Sequence, residues 1–139
     1  MPSTLDLINS EQLANTLFLI STLYAYVSGN EATKVELEKQ QGSTTSSDST
    51  NPSSISHATK SAEKALISTC YAVVALIINT MAAIARKQNL EKDIASGNST
   101  ASIIPSIIII TGLILSAIGS IMKLPALKER ITESIPTIL

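Results

Sequence analysis

The chain has one histidine, His57, set at the edge of a Ser/Thr-rich run, and this limits the chemistry open to it. A histidine metal site needs several imidazoles, and a catalytic triad needs one beside a nucleophile and an acid; this sequence assembles neither. Serines are plentiful, but none stands in a G-x-S-x-G elbow, and the five glycines are too scattered to form a phosphate-cradling loop. Cys70 is the only cysteine, so no intramolecular disulfide can form. It lies in an apolar run, where a small buried and unreactive thiol is expected. Most carboxylates sit next to basic residues, the pattern of a solvated helix face and not of a general acid–base pair. The expectation is a protein that is not an enzyme, with no cofactor, metal or small-molecule substrate.

Two further groups bear on partners. Asn98-Ser99-Thr100 matches the N-glycosylation sequon and falls in a turn by composition, which makes Asn98 an acceptor if it faces outside. Basic residues gather at Arg86, Lys87 and Lys92 and again at Lys123, Lys128 and Arg130. With a net charge of −1, each cluster could contact only a few phosphates. The first cluster reads more simply as cations at a helix C-terminus. Only a repeating array of copies would turn such sparse charge into a surface for packaged DNA.

The elements that carry these residues follow from hydropathy. Charged residues are 15% of the chain, against roughly 25% in ordinary soluble proteins, whereas 45% is apolar and only 3% aromatic. The N-terminus lacks a basic region ahead of its apolar run, which argues against a cleavable secretory signal. A single domain of 139 residues is expected, all-α, with three long hydrophobic helices in a small bundle and a short C-terminal helix. The first helix region covers 1–40, with Asn9 and Gln12 at capping spacing and Gly29 as a point of bending. A Ser/Thr-rich loop follows at 41–56. The second helix spans 57–94 and ends at the stop signals Gly97 and Asn98, and the third spans 103–122 with Pro105 in its first turn. Pro125 is expected to break the chain and start the short helix at 125–135, with Leu124, Leu127, Ile131 and Ile135 as its apolar face.

The most informative pattern is in the second helix. Ala65, Ser68, Ala72, Ala75, Asn79 and Ala82 recur at alternating three- and four-residue steps, which draws a stripe of small side chains along one face. Leu66, Val73, Ile77, Met81 and Ile84 lie away from that stripe. Gly112, Ser116 and Ser120, with Gly119 beside them, form a comparable face on the third helix, and the two faces are expected to meet. Small faces of this kind let helix backbones approach closely, so these residues are the candidate packing and assembly positions.

Two surroundings could hide so much apolar helix. In composition and layout the chain resembles the hydrophobic helical major capsid proteins of spindle-shaped archaeal viruses. The features that carry this are Ile103-Ile104 and Ile107–Ile110, the Ser/Thr-rich loop, the Ala-lined helix 65–82 and the scarcity of aromatics. That resemblance implies a virion subunit whose apolar segments pack into copies of itself. The alternative is a small three-span membrane protein with a holin-like layout, using Leu13–Val27, Ala65–Ala85 and Ile103–Met122 as spans in lipid. The absence of Trp and the lack of aromatic belts count against it.

Overall fold

The computed structural model describes residues 2–42 and 52–133. These form three helices and, among the described residues, no strand: α1 (Thr4–Gly42), α2 (Pro52–Ala95) and α3 (Ile104–Glu133).

α1 starts earlier than the Asn9 cap would place it. Ser3 is the N-cap: its Oγ accepts from the Asp6 amide at 3.2 Å, and its own amide donates to Asp6 Oδ2 at 2.9 Å. This reciprocal pair satisfies two donors that every helix start leaves open, and the spacing Ser3-x-x-Asp6 was its sequence signal. The helix then runs through Gly29 without interruption to Gly42.

α2 opens on Pro52, whose fixed φ and missing N–H suit a first turn. It therefore absorbs 52–56 of the expected loop, while α1 absorbs 41 and 42; the remainder, 43–51, lies outside the described residues. His57, expected as the first residue of the second helix, thus stands in the second turn of α2. The C-terminus of α2 closes in a Schellman turn, with the Asn98 amide donating to Asp93 O at 2.8 Å and the Gly97 amide to Ile94 O at 3.0 Å. Gly97 has φ of 76°, where a Cβ is strained whatever space surrounds it. Gly97→Ala should thus cost about 1 kcal/mol in a urea melt. Gly29→Ala, in open space within a helix, should raise stability by about 0.5–1 kcal/mol.

The expected short helix at 125–135 is not a separate element. α3 continues through Pro125 to Glu133, and residues 134 and 135 lie outside the described set. Proline removes one bond, to the carbonyl of Ile121, but its φ is already helical, and Pro125 stands on the exposed side where the freed carbonyl is not walled in. The face expected of that helix is nonetheless present: Leu124, Leu127 and Ile131 are half-buried and continue the inward row of α3.

The chain packs as two compact units. One comprises Met1–Leu19 and Tyr71–Ile121, the other Ile20–Cys70 and Met122–Leu139. In the first, the buried side chains are Leu7 and Ala14 of α1 with Ala75, Leu76 and Ala82 of α2. In the second, Ser21 of α1 and Ala62 and Ser68 of α2 are buried, and Leu127 and Arg130 of α3 line an open groove with Ser28, Ala32, Ala58 and Ala65. No described residue of α3 is fully buried in either.

Candidate assembly surface

The small stripe of α2 is covered by α1. Ser68 Oγ donates to the Ser21 carbonyl at 2.8 Å, and Ser28 and Ser61 exchange the same bond in both directions, at 2.9 and 3.0 Å. A serine hydroxyl is short, so a bond from it to the opposite backbone requires the two helices to nearly touch. The two pairs are seven residues apart on each helix and run in opposite directions, which sets an antiparallel register. In the other unit Leu7 and Ala14 of α1 and Ala75 and Ala82 of α2 are all buried. Ala14 and Ala75 are each 0% exposed, so neither site has room for a larger side chain.

Ser68, Ala75 and Ala82 of the candidate stripe are buried, and Ala65, Ala72 and Asn79 are half-buried. The expected meeting with the small face of α3 does not occur. Gly112, Ser116 and Gly119 are exposed and only Ser120 is half-buried. The reason lies in α1, which carries its own small residues at sevens, Ala14, Ser21 and Ser28, and takes the place assigned to α3. That heptad was visible in the sequence and outweighs the bulkier residues around it.

Polar groups fasten the ends of the uncharged run of α2. Arg86 donates to Glu11 Oε2 at 2.6 Å, and Lys64 Nζ sits 5.5 Å from the centre of the Tyr24 ring. Lys87 bonds Glu91 at 2.6 Å. The Arg86–Lys87 part of the first basic cluster is thus committed to carboxylates, with Arg86 bridging helices where only a helix-terminal charge was expected. Lys123, Lys128 and Arg130 are exposed.

His57 joins α2 to α1. Its Nδ1 donates to Glu31 Oε2 at 2.5 Å and its Nε2 lies 3.9 Å from Glu38 Oε1. Lys34 donates to the other Glu31 oxygen at 2.9 Å. These two hydrogen bonds, Lys34's the stronger influence, hold the Glu31 carboxyl below its ordinary value of 4.5. A carboxyl depressed on folding stabilises the fold above its ordinary value, and that stability is lost as pH falls through the folded value. The stability gap between wild type and Glu31→Gln should therefore stay constant above about pH 5 and shrink below about pH 4 in pH-dependent melts. Among the described residues no three His, Cys, Asp or Glu side chains are placed to hold a metal ion.

Cys70 is exposed, contrary to the expectation of a buried thiol. Two residues beyond Ser68 lies the opposite side of a helix, so a residue flanked by apolar neighbours in sequence need not share their burial. Asn98 is exposed in the turn between α2 and α3, with its main chain held by the Schellman bond and its Nδ2 donating to Ser96 Oγ at 2.9 Å.

The largest feature is α3 itself. Between Asp93 and Lys123 there is no charge, and none of its apolar window is buried within the chain. Its two exposed hydroxyls in that stretch are turned back on the helix: Thr111 donates to Ile107 O at 2.9 Å and Ser116 to Gly112 O at 2.8 Å. Such bonds satisfy the donor without water, so the outer face can be dried at little polar cost. Two helical stretches, Ser56–Ala95 and Ile104–Thr132, are long and apolar enough to cross a membrane; Leu13–Val27, the weakest of the three expected spans, is not among them.

Comparison with models of known protein families, with curated proteins and with solved structures finds no match to the chain.

Proposed function

We propose that the chain is a non-enzymatic, self-assembling structural subunit, specifically a virion major capsid protein that builds a helical or spindle-shaped shell from copies of itself. The observation that carries this is the open face of α3. From Ile104 to Ile121, eight large apolar side chains stand 42–66% exposed. They leave on the order of 800 Å² of apolar surface on one helix, about one partner's share of a standard interface. Ordinary monomers leave a largest patch of roughly 300–600 Å². Within each unit α1 and α2 are fastened to one another, by the Ser68–Ser21 bond in one and the Glu11–Arg86 ion pair in the other. In such a shell the exposed cations Lys123 and Lys128 recur with every copy, which would give sparse contacts to packaged DNA.

Lipid is the second reading, favoured by the two stretches long enough to span a bilayer. Extraction of native material separates the two. Particles or filaments made of this chain that stay intact after lipid removal support the shell. Release only by detergent, as small oligomers from a membrane fraction, overturns it in favour of an integral membrane protein.

A further inference from the structure

We propose that Asn98 is a glycan attachment site, modified at Nδ2 by an oligosaccharide delivered from a lipid diphosphate, and that the turn between α2 and α3 faces outside. Whether copies of the chain or lipid cover α3 does not bear on this, because the turn is a separate, polar segment.

Two independent criteria select the same residue. The first is the acceptor motif. Of the seven asparagines only Asn51 and Asn98 have a hydroxyl residue two places on, and at Asn51 the intervening Pro52 spoils the motif. The second is backbone shape. In a helix, residues two apart do not face the same way, so an asparagine and its hydroxyl partner cannot be read together there. Among the described residues Asn9, Asn15, Asn30, Asn79 and Asn89 are all helical, and only Asn98 lies in the non-helical stretch 96–103.

The local geometry keeps the acceptor open. Asn98 and Thr100 are both exposed. The main-chain amide of Asn98 is held by Asp93 O, and Gly97 at φ of 76° turns the chain out of the helix. Ser96 Oγ takes only one of the two Nδ2 N–H groups. Attack by Nδ2 on the anomeric carbon of the sugar forms the N–C bond and breaks that carbon's bond to the diphosphate oxygen. The lipid diphosphate leaves with the electron pair, and Nδ2 gives up one proton to a base of the transferase. No oxidant or reductant is needed.

Charge places the turn on the side where such acceptors are modified. The helical stretch Ser56–Ala95 is long and apolar enough to enter a bilayer, so no cleaved leader is required to bring the turn across. Between the uncharged runs 65–85 and 103–122 lie three cations, Arg86, Lys87 and Lys92, and the other seven lie beyond those runs. An excess of Lys and Arg marks the side kept inside, which leaves the turn as the part passed out.

The test is the mass of the tryptic peptide 93–123, which has no internal Lys or Arg, taken from the full chain purified from the cells or particles that naturally hold it. The peptide should be heavier than its sequence by a set of whole sugar residues, and fragmentation should place them on Asn98. Asn98→Gln and Thr100→Ala, made in the same cells, should each remove the added mass, whereas Thr100→Ser should keep it. Circular dichroism should show the same helix content in all three, since both positions are exposed. On intact particles or cells the sugar should react with periodate and an impermeant hydrazide dye. A peptide found only at its unmodified mass would overturn the proposal, as would sugar carried on a hydroxyl or retained by Thr100→Ala. Labelling only after disruption would overturn the outward placement. None of these readings depends on whether the chain self-assembles.

Discussion

Ala75→Leu is expected to lower stability by about 3 kcal/mol, because three added carbons must enter a place where the chain leaves no space. Ala75 of α2 is fully enclosed, and so is Ala14 of α1 in the same unit, so relief must come from parting α1 and α2 there. Parting them strains the bond that joins the same two helices in that unit, from Arg86 to Glu11 Oε2 at 2.6 Å. The expected thermal shift is roughly 10 °C for a chain of this size. Ala25→Leu is the control: Ala25 is exposed, so the same added carbons there should change the melt by less than about 0.5 kcal/mol. Equal melting curves for the two variants would show that the seam between α1 and α2 is not closely packed.

The same seam shows what was legible in the sequence. The stripe from Ala65 to Ala82 could be read directly, since steps of three and four are the imprint of one helix face. Its partner was harder to see. The sequence offers two small faces for it: Gly112 to Ser120 on the third helix, and Ala14, Ser21 and Ser28 on the first. Glycines and serines four apart are the more conspicuous pattern, whereas single small residues at sevens are diluted by Leu17, Phe18 and Tyr24 between them. Packing is decided by register, and a seven-residue match on both helices allows every layer to close. Local rules misled in similar ways. Pro125 reads as a break because proline deletes a hydrogen bond, yet the loss is small where the freed carbonyl is not enclosed. The Ser/Thr run reads as loop because its composition offers no core, yet Pro52 and the serines after it can still open a helix that α2 extends.

The exposed half of α3 is what neither composition nor periodicity could assign to a partner, and the second large effect is expected there. Leu115→Lys should abolish assembly while leaving the isolated chain folded. Leu115 points away from the chain's own packing, so lysine replaces it without touching any internal contact. Buried between copies, an unpaired ammonium in a charge-free surface costs about 3 kcal/mol per contact, more than a hundredfold in association. Copies that repeat the contact suffer it repeatedly, and a shell would not close. In a bilayer the outcome differs. Lysine near the centre of a span costs about 2.5–3.5 kcal/mol, but eleven other large apolar residues between Ile103 and Met122 return roughly 3–6 kcal/mol, so the variant would stay in the membrane fraction. A detergent-free, helical monomer from Leu115→Lys therefore supports burial against neighbouring copies. A variant that remains membrane-bound would show instead that lipid covers α3, because only there is the remainder of the run enough to hold it.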